Sequence, residues 1–121
     1  MQRKSTDTVK IEYAVQRQKL EKALRNYLKR ASTRAKLHEA ILFGSYAKNN
    51  YSPGSDIDLA IVADDLPANA TERYAMFKET VLGLDLQPFV YTKQEWNEMI
   101  KSSTSFASEI RLHGRRLYPE R

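Results

Sequence analysis

The chain has 121 residues, 41% hydrophobic and 29% charged, with four Gly and four Pro; this fits one globular domain with one core and argues against a disordered chain. Cysteine is absent, which excludes a disulfide framework, a thiolate metal site and a cysteine nucleophile. No apolar run approaches the thickness of a bilayer and the N-terminus lacks a signal-peptide core, so the expected location is the cytoplasm, with no membrane partner.

Residues 1–36 hold eleven Lys or Arg against three acids, while the remainder holds nine against twelve. Within 9–31, Leu20, Ala23, Leu24, Tyr27, Leu28 and Ala31 recur at helical spacing, so this stretch is expected to be a helix with one apolar side and basic residues on the others. Residues 1–36 are therefore read as a basic N-terminal helix packed on a core formed by 37–121, one domain overall. A charged helix face is ordinarily just solvated, although Arg17, Lys19, Lys22, Arg25, Lys29 and Arg30 leave contact with RNA open.

After a weak break at 32–34, the apolar run 40–43 ending at Gly44 predicts a buried strand meeting a turn. Residues 45–50 read as one helical turn, and 51–55, with Pro53 and Gly54, as a reversing loop. Residues 56–62 alternate, placing Ile57, Leu59 and Ile61 on one face and Asp56, Asp58, Ala60 and Val62 on the other. A second helix is expected over 71–82, with Tyr74, Met76, Phe77 and Val81 inward and Gly83 as its stop. A third strand follows over 84–91. Thr92 and Glu95 form the Thr-x-x-Glu capping pattern that opens a helix to about Ile100. A last helix over 105–112, a stop at Gly114 and a closing strand at 116–118 complete an α/β or α+β domain, with helices covering a small mixed sheet.

Asp56 and Asp58 lie two residues apart on a predicted strand, so they share a face with Cα atoms roughly 6 to 7 Å apart. Two carboxylates about 4 Å apart repel by roughly 4 kcal/mol at an effective dielectric of 20, which a divalent cation would relieve. Oxygen-only ligands favour magnesium, with manganese also suitable, and magnesium usually joins one or two carboxylates to substrate phosphates. Asp85 is the third candidate acid: if its strand lies beside the Asp pair, three carboxylates meet and can hold two metals. Such a centre activates an acceptor hydroxyl for in-line attack on an α-phosphorus, with pyrophosphate leaving. Gly44 and Ser45 supply a phosphate-binding turn, and Lys48, one helical turn on, a neutralising charge. An acidic pair alone is common on exposed strand faces, and Lys48 with Asn49 could be only a polar surface turn. The combination is more specific than its parts. His38 and His113 are read as surface or packing residues, and Trp96, Tyr74, Phe77 and Phe89 as core, with Phe89 or Tyr91 able to border the cleft.

Phe43-Gly44-Ser45, ten residues, then Asp56-Ile57-Asp58-Leu59 resembles the Gly-Ser-x10-Asp-x-Asp motif of the DNA polymerase beta-like nucleotidyltransferase superfamily. More narrowly, the stretch from Gly54 to Leu59 resembles the minimal nucleotidyltransferases, the MNT proteins paired with HEPN-domain proteins; the likeness covers about Leu20 to Tyr118. It implies a nucleotidyltransferase fold, Asp56, Asp58 and Asp85 as metal ligands and catalytic acids, and Gly44, Ser45, Lys48 and Ser55 at the nucleotide. Many relatives follow Gly-Ser with an Arg-Ala-Arg-Gly-like turn, where this chain has Tyr46-Ala47-Lys48-Asn49; Lys48 keeps a cation without the bidentate fork of Arg.

The resemblance further implies ATP as donor, AMP as the transferred group, and a tyrosine of a partner HEPN toxin as acceptor, with this chain acting as antitoxin in a homo- or hetero-oligomer. The small size agrees, since little chain is left to grip an acceptor. The alternatives are an antitoxin that neutralises by binding alone, or transfer to a small molecule or an RNA end. A sugar-transferring enzyme also uses Asp-x-Asp, but the upstream Gly-Ser and the size exclude it.

Overall fold

A computed structural model describes residues 6–120. In chain order these form α1 (Thr6–Ala31), β1 (Lys36–Phe43), α2 (Gly44–Lys48), β2 (Ile57–Asp64), α3 (Ala70–Phe77), β3 (Thr80–Val81), β4 (Leu84–Tyr91), α4 (Lys93–Ile100), α5 (Ser105–His113) and β5 (Arg115–Tyr118). The strands make one sheet in the order β3-β4-β2-β1-β5. β2 and β4 run parallel and the other neighbours antiparallel, so the expected mixed sheet with flanking helices is what forms.

The apolar side of α1 packs on one face of the sheet, where Leu20, Leu24, Tyr27, Leu28 and Ala31 join Ile57, Leu59, Ile61, Leu86 and Phe77 in the main core. Each such large apolar side chain contributes about 1.5–3 kcal/mol when removed from water. α1 stops where hydroxyls turn back on its last carbonyls, with Ser32 Oγ donating to Lys29 O at 2.7 Å and Thr33 Oγ1 to Arg30 O at 2.7 Å. The other face carries a smaller core of Ile41, Phe43, Ala60, Val62, Trp96 and Ile110, which α4 and α5 close. β2 is thus covered on both faces, and its Ile57-Leu59-Ile61 and Ala60-Val62 sets point opposite ways, as the alternation predicts.

α1 is also tied to the last strand. Glu21, 4% exposed, accepts from Arg115 Nε, and Arg17 Nε stands 3.8 Å from the same carboxylate. A buried carboxylate is retained only with such partners, because an unpaired one would carry its full desolvation cost.

Three expectations need correction. β1 begins at Lys36, four residues before the predicted start. A bulge explains this: Leu37 pairs with Ala63 and Glu39 with Val62, leaving His38 as an extra residue that breaks the alternation. His38 Nε2 lies 2.7 Å from Asp64 Oδ2. Second, the helix expected over 71–82 ends at Phe77, and Thr80–Val81 is a strand paired with β4. Phe77 and Val81 are buried as expected and Met76 packs against the core, but Tyr74 is exposed and donates to Gln87 Oε1 at 3.2 Å. Third, Gly83 does not stop a helix. Leu82 and Gly83, with φ of 52° and 75°, are the two central residues of a hairpin turn that needs positive φ at both.

Leucine is a poor residue for that turn, and Leu82 is 64% exposed, so packing does little to offset the strain. Leu82→Asn is expected to stabilise the fold by about 1 kcal/mol, since Asn tolerates the left-handed region and Asn-Gly is the favoured pair. Urea unfolding would register this as a higher midpoint at constant slope; an unchanged or lower midpoint would refute it.

Candidate active site

The register of β1 against β2 builds the site. Phe43, the last residue of β1, is opposite Asp58, so the turn at Gly44 begins beside the Asp58 carboxylate. Gly44 has φ +73°, and a Cβ built on it would collide with Asp58 Oδ2 and lie 3.2 Å from Asp58 Cγ. Only glycine satisfies both the backbone conformation and the close approach. The two halves of the motif, ten residues apart in sequence, are therefore in van der Waals contact.

The loop that delivers Asp56 is braced from behind. Tyr46 and Tyr51 stack with ring centroids 4.3 Å apart, Tyr46 Oη donates to Ser55 O at 3.1 Å, and Tyr51 Oη donates to Gln16 Oε1 at 2.8 Å. Arg17 of α1 donates to Ala47 O at 3.2 Å, anchoring the short α2. Ser55 Oγ accepts from Ser52 N at 2.9 Å, so this predicted nucleotide contact also holds the turn before Asp56. Ser45 is half-buried in α2, one residue past the Gly44 turn.

Asp56 is exposed and Asp58 half-buried. Burial raises the pKa of Asp58 above the ordinary carboxylate range, and the negative charges of Asp56 and then Glu109 raise it further. The Tyr46 phenol is likewise held above its usual range, first by burial and then by Asp56. The site is an acidic spot whose charges repel one another.

Asp85 is exposed on β4, where it pairs with Thr80 of β3. The β2–β4 ladder opens with Ile57 beside Leu86, so Asp85 stands level with Asp56 at the same sheet edge, while Asp58 has Gln87 as its neighbour. Among the described residues, no three Asp, Glu or His side chains come close enough to hold a metal ion together. The structure brings Gly44 against Asp58, with Ser45 following Gly44 in α2, Asp56 two residues before Asp58, and Asp85 level with Asp56 on the neighbouring strand. Two carboxylates with hard oxygen donors fit a magnesium ion that completes its shell with phosphate oxygens and water. The Gly44 cradle leaves backbone, not a side chain, at the approach to Asp58.

Lys48 is not free to greet a phosphate: its Nζ is 3.0 Å from Glu109 Oε1 of α5. Both side chains are about one-third exposed, and a pair so placed contributes roughly 0–1 kcal/mol. Glu109 and Gln87 escaped the sequence reading. Gln87 follows Asp85 at strand spacing and was findable on that ground, whereas Glu109 is one of several polar residues on an amphipathic helix that only tertiary packing brings to the site. On the sheet face beyond Asp58, Phe43 meets Phe89 and Phe106 edge-to-face at 5.1 and 5.3 Å, Phe89 and Phe106 lie tilted at 5.9 Å, and Phe89 stays 38% exposed.

Residues 21–111 match the family described as "Nucleotidyltransferase domain". Two proteins of Methanocaldococcus jannaschii, both named "Putative protein adenylyltransferase", are similar in sequence. One is 33% identical over 87 residues, 65% of this chain and 77% of that protein. The other is 30% identical over 107 residues, 81% of this chain and 97% of that protein. Among solved structures, a "putative nucleotidyltransferase" from Sulfolobus solfataricus has a TM-score of 0.55 at 20% identity, covering 81% of this chain and 84% of that one. A toxin-antitoxin structure with AMP-PNP has a TM-score of 0.54 at 21% identity, covering 80% and 74%. At these identities the two structures establish the shared fold.

Proposed function

The chain belongs to the nucleotidyltransferase domain family, and from that premise we propose that it moves AMP from ATP, with magnesium, to a hydroxyl group of a partner protein. The acceptor is a tyrosine of a HEPN toxin, which this chain neutralises as antitoxin in the cytoplasm, where ATP is available. Support for protein adenylylation comes from the names of the two archaeal relatives, and support for the toxin-antitoxin setting from the structural neighbour that holds AMP-PNP.

The observation that carries the chemistry is the contact between the Gly44 turn and the Asp58 carboxylate. It sets a phosphate-binding backbone and a metal-binding acid against each other. Asp56 and Asp58 would hold magnesium, and Asp85, level with Asp56, would serve a second ion or receive the acceptor's proton. Magnesium bound there would neutralise charge on the triphosphate and lower the pKa of an acceptor hydroxyl. Gly44 and Ser45 orient the phosphate chain, Ser55 holds the turn that aims Asp56, and the Tyr46–Tyr51 stack keeps that turn from sagging into the core. Because the donors are fixed by the β1–β2 register, little reorganisation is needed when charge develops on the phosphates.

The test is a transfer assay with the purified pair, magnesium, and ATP labelled on either the α- or the γ-phosphate. Label from the α-position is expected on a tyrosine of the partner, with none from the γ-position. Label from the γ-position would make the reaction phosphorylation. Full neutralisation of the partner with no label transferred would leave binding alone as the mechanism.

A further inference from the structure

Glu109 has no part in the scheme above, yet it is the only acid of α5 and lies close enough for its charge to act on Asp58. Its carboxylate holds Lys48 Nζ at 3.0 Å. Lys48 is three residues beyond Ser45 in α2, a spacing that places both side chains on one side of a helical turn. The cation that should meet the phosphates is therefore present at the site but already engaged.

We propose that Glu109 is a positioning residue that holds Lys48 while the site is empty of nucleotide and yields it to the phosphates, so that binding exchanges a Lys48–Glu109 pair for a Lys48–phosphate pair. This rests on the nucleotide-transfer reading. Two features favour exchange over a fixed strut. A lysine ammonium is a point charge on a flexible stem and can swing to a new partner without satisfying a fork geometry. The pair is partly solvated, so parting it strands no buried charge.

The experiment is calorimetric titration of ATP and of inorganic tripolyphosphate, each with magnesium, into the wild type, Glu109→Gln, Lys48→Gln and the double variant. Tripolyphosphate belongs in the set because Lys48 reads phosphate and not base. Glu109→Gln is expected to tighten both ligands by about threefold, by removing the competitor for Lys48. Lys48→Gln should weaken both by about tenfold. In the double variant the gain from Glu109→Gln should vanish, the coupling that a double-mutant cycle isolates. The charge-swapped protein, Lys48→Glu with Glu109→Lys, restores the α2–α5 ion pair and should recover thermal stability without recovering affinity.

Glu109→Gln that leaves affinity unchanged or weakens it overturns the proposal, as does an equal gain with and without Lys48, which would make Glu109 only a through-space repulsion. Recovery of affinity by the charge swap would reduce the pair to a structural strut. A wild type that binds neither ligand overturns the transfer reading and this proposal with it, whereas binding without coupling overturns this proposal alone.

Discussion

Asp58→Asn is expected to lower AMP transfer at least about a thousandfold, roughly 4 kcal/mol of lost transition-state stabilisation, while the protein stays folded. Asn keeps the volume against Gly44 and removes the charge. The same change should make the metal-free protein no less stable, and the pH dependence follows from the raised pKa of Asp58. A carboxyl group with a folded pKa above its unfolded value favours the fold fully below the unfolded pKa, and that contribution is lost as pH rises through the folded value. In chelator, the wild type should therefore fall behind Asp58→Asn in melting temperature as pH climbs from below the ordinary carboxylate range towards neutrality. Magnesium should raise the wild-type melting temperature increasingly across the same window, because binding requires the ionised acid, and should do little for the variant. Transfer retained within about tenfold of wild type would remove Asp58 from the reaction.

Gly44→Ala should injure the site by a different route. At φ +73° an alanine carries a backbone penalty of about 1–2 kcal/mol. Its Cβ would also occupy the place of the Asp58 carboxylate, and a displacement on the order of 1 Å in a reacting centre costs about a hundredfold in rate. Gly44→Asn separates the two effects. Asn tolerates the left-handed region and should restore much of the stability, but it also bears a Cβ and should restore none of the activity. The pair of variants is read by denaturant unfolding alongside the transfer assay. An alanine variant that turns over at the wild-type rate would mean that the Asp58–Gly44 contact is incidental to catalysis.

Much of this arrangement was legible in the sequence where local chemistry and tertiary structure agree. The alternation of 57–62 described β2 because successive side chains of a strand take opposite faces, and the unbroken apolar run from Leu59 to Ala63 reflects burial on both of them. The Thr92–Glu95 pattern described the start of α4, where Glu95 N donates to Thr92 Oγ1 at 3.2 Å and Thr92 N donates to Glu95 Oε1 at 2.7 Å. The spacing from Gly44-Ser45 to Asp56 and Asp58 located the site because β1 and β2 are adjacent and the loop between them only has to reverse. What was not legible lies where one level overrides another. The bulge at His38 hid the start of β1 by breaking its period. The β3–β4 hairpin was missed because leucine occupies a position that asks for Asn, Asp or Gly, so Gly83 looked like the end of a helix. Asp85 was expected to meet the pair if its strand lay beside β2; β4 does lie beside β2 and sets Asp85 level with Asp56, a register that composition cannot supply. Glu109 is invisible until α5 folds over the sheet.

The buried Glu21 has a consequence for the order in which the chain can assemble. Its partner Arg115 is 94 residues away, and β5 joins the sheet only beside β1. The interval between the two residues is among the longest loops this domain must close, and such distant contacts are slow to form. On a ribosome, α1 emerges with its carboxylate and the more distant Arg17 long before Arg115, the hydrogen-bonded partner, has been made. Until then, full docking of that helix would bury a charge whose strand-borne partner is missing, and the outer edge of β1 has no strand to cover it. Closure of the domain is thus deferred until β5 has been made, with the seam between α1 and β5 as the step that commits the native state.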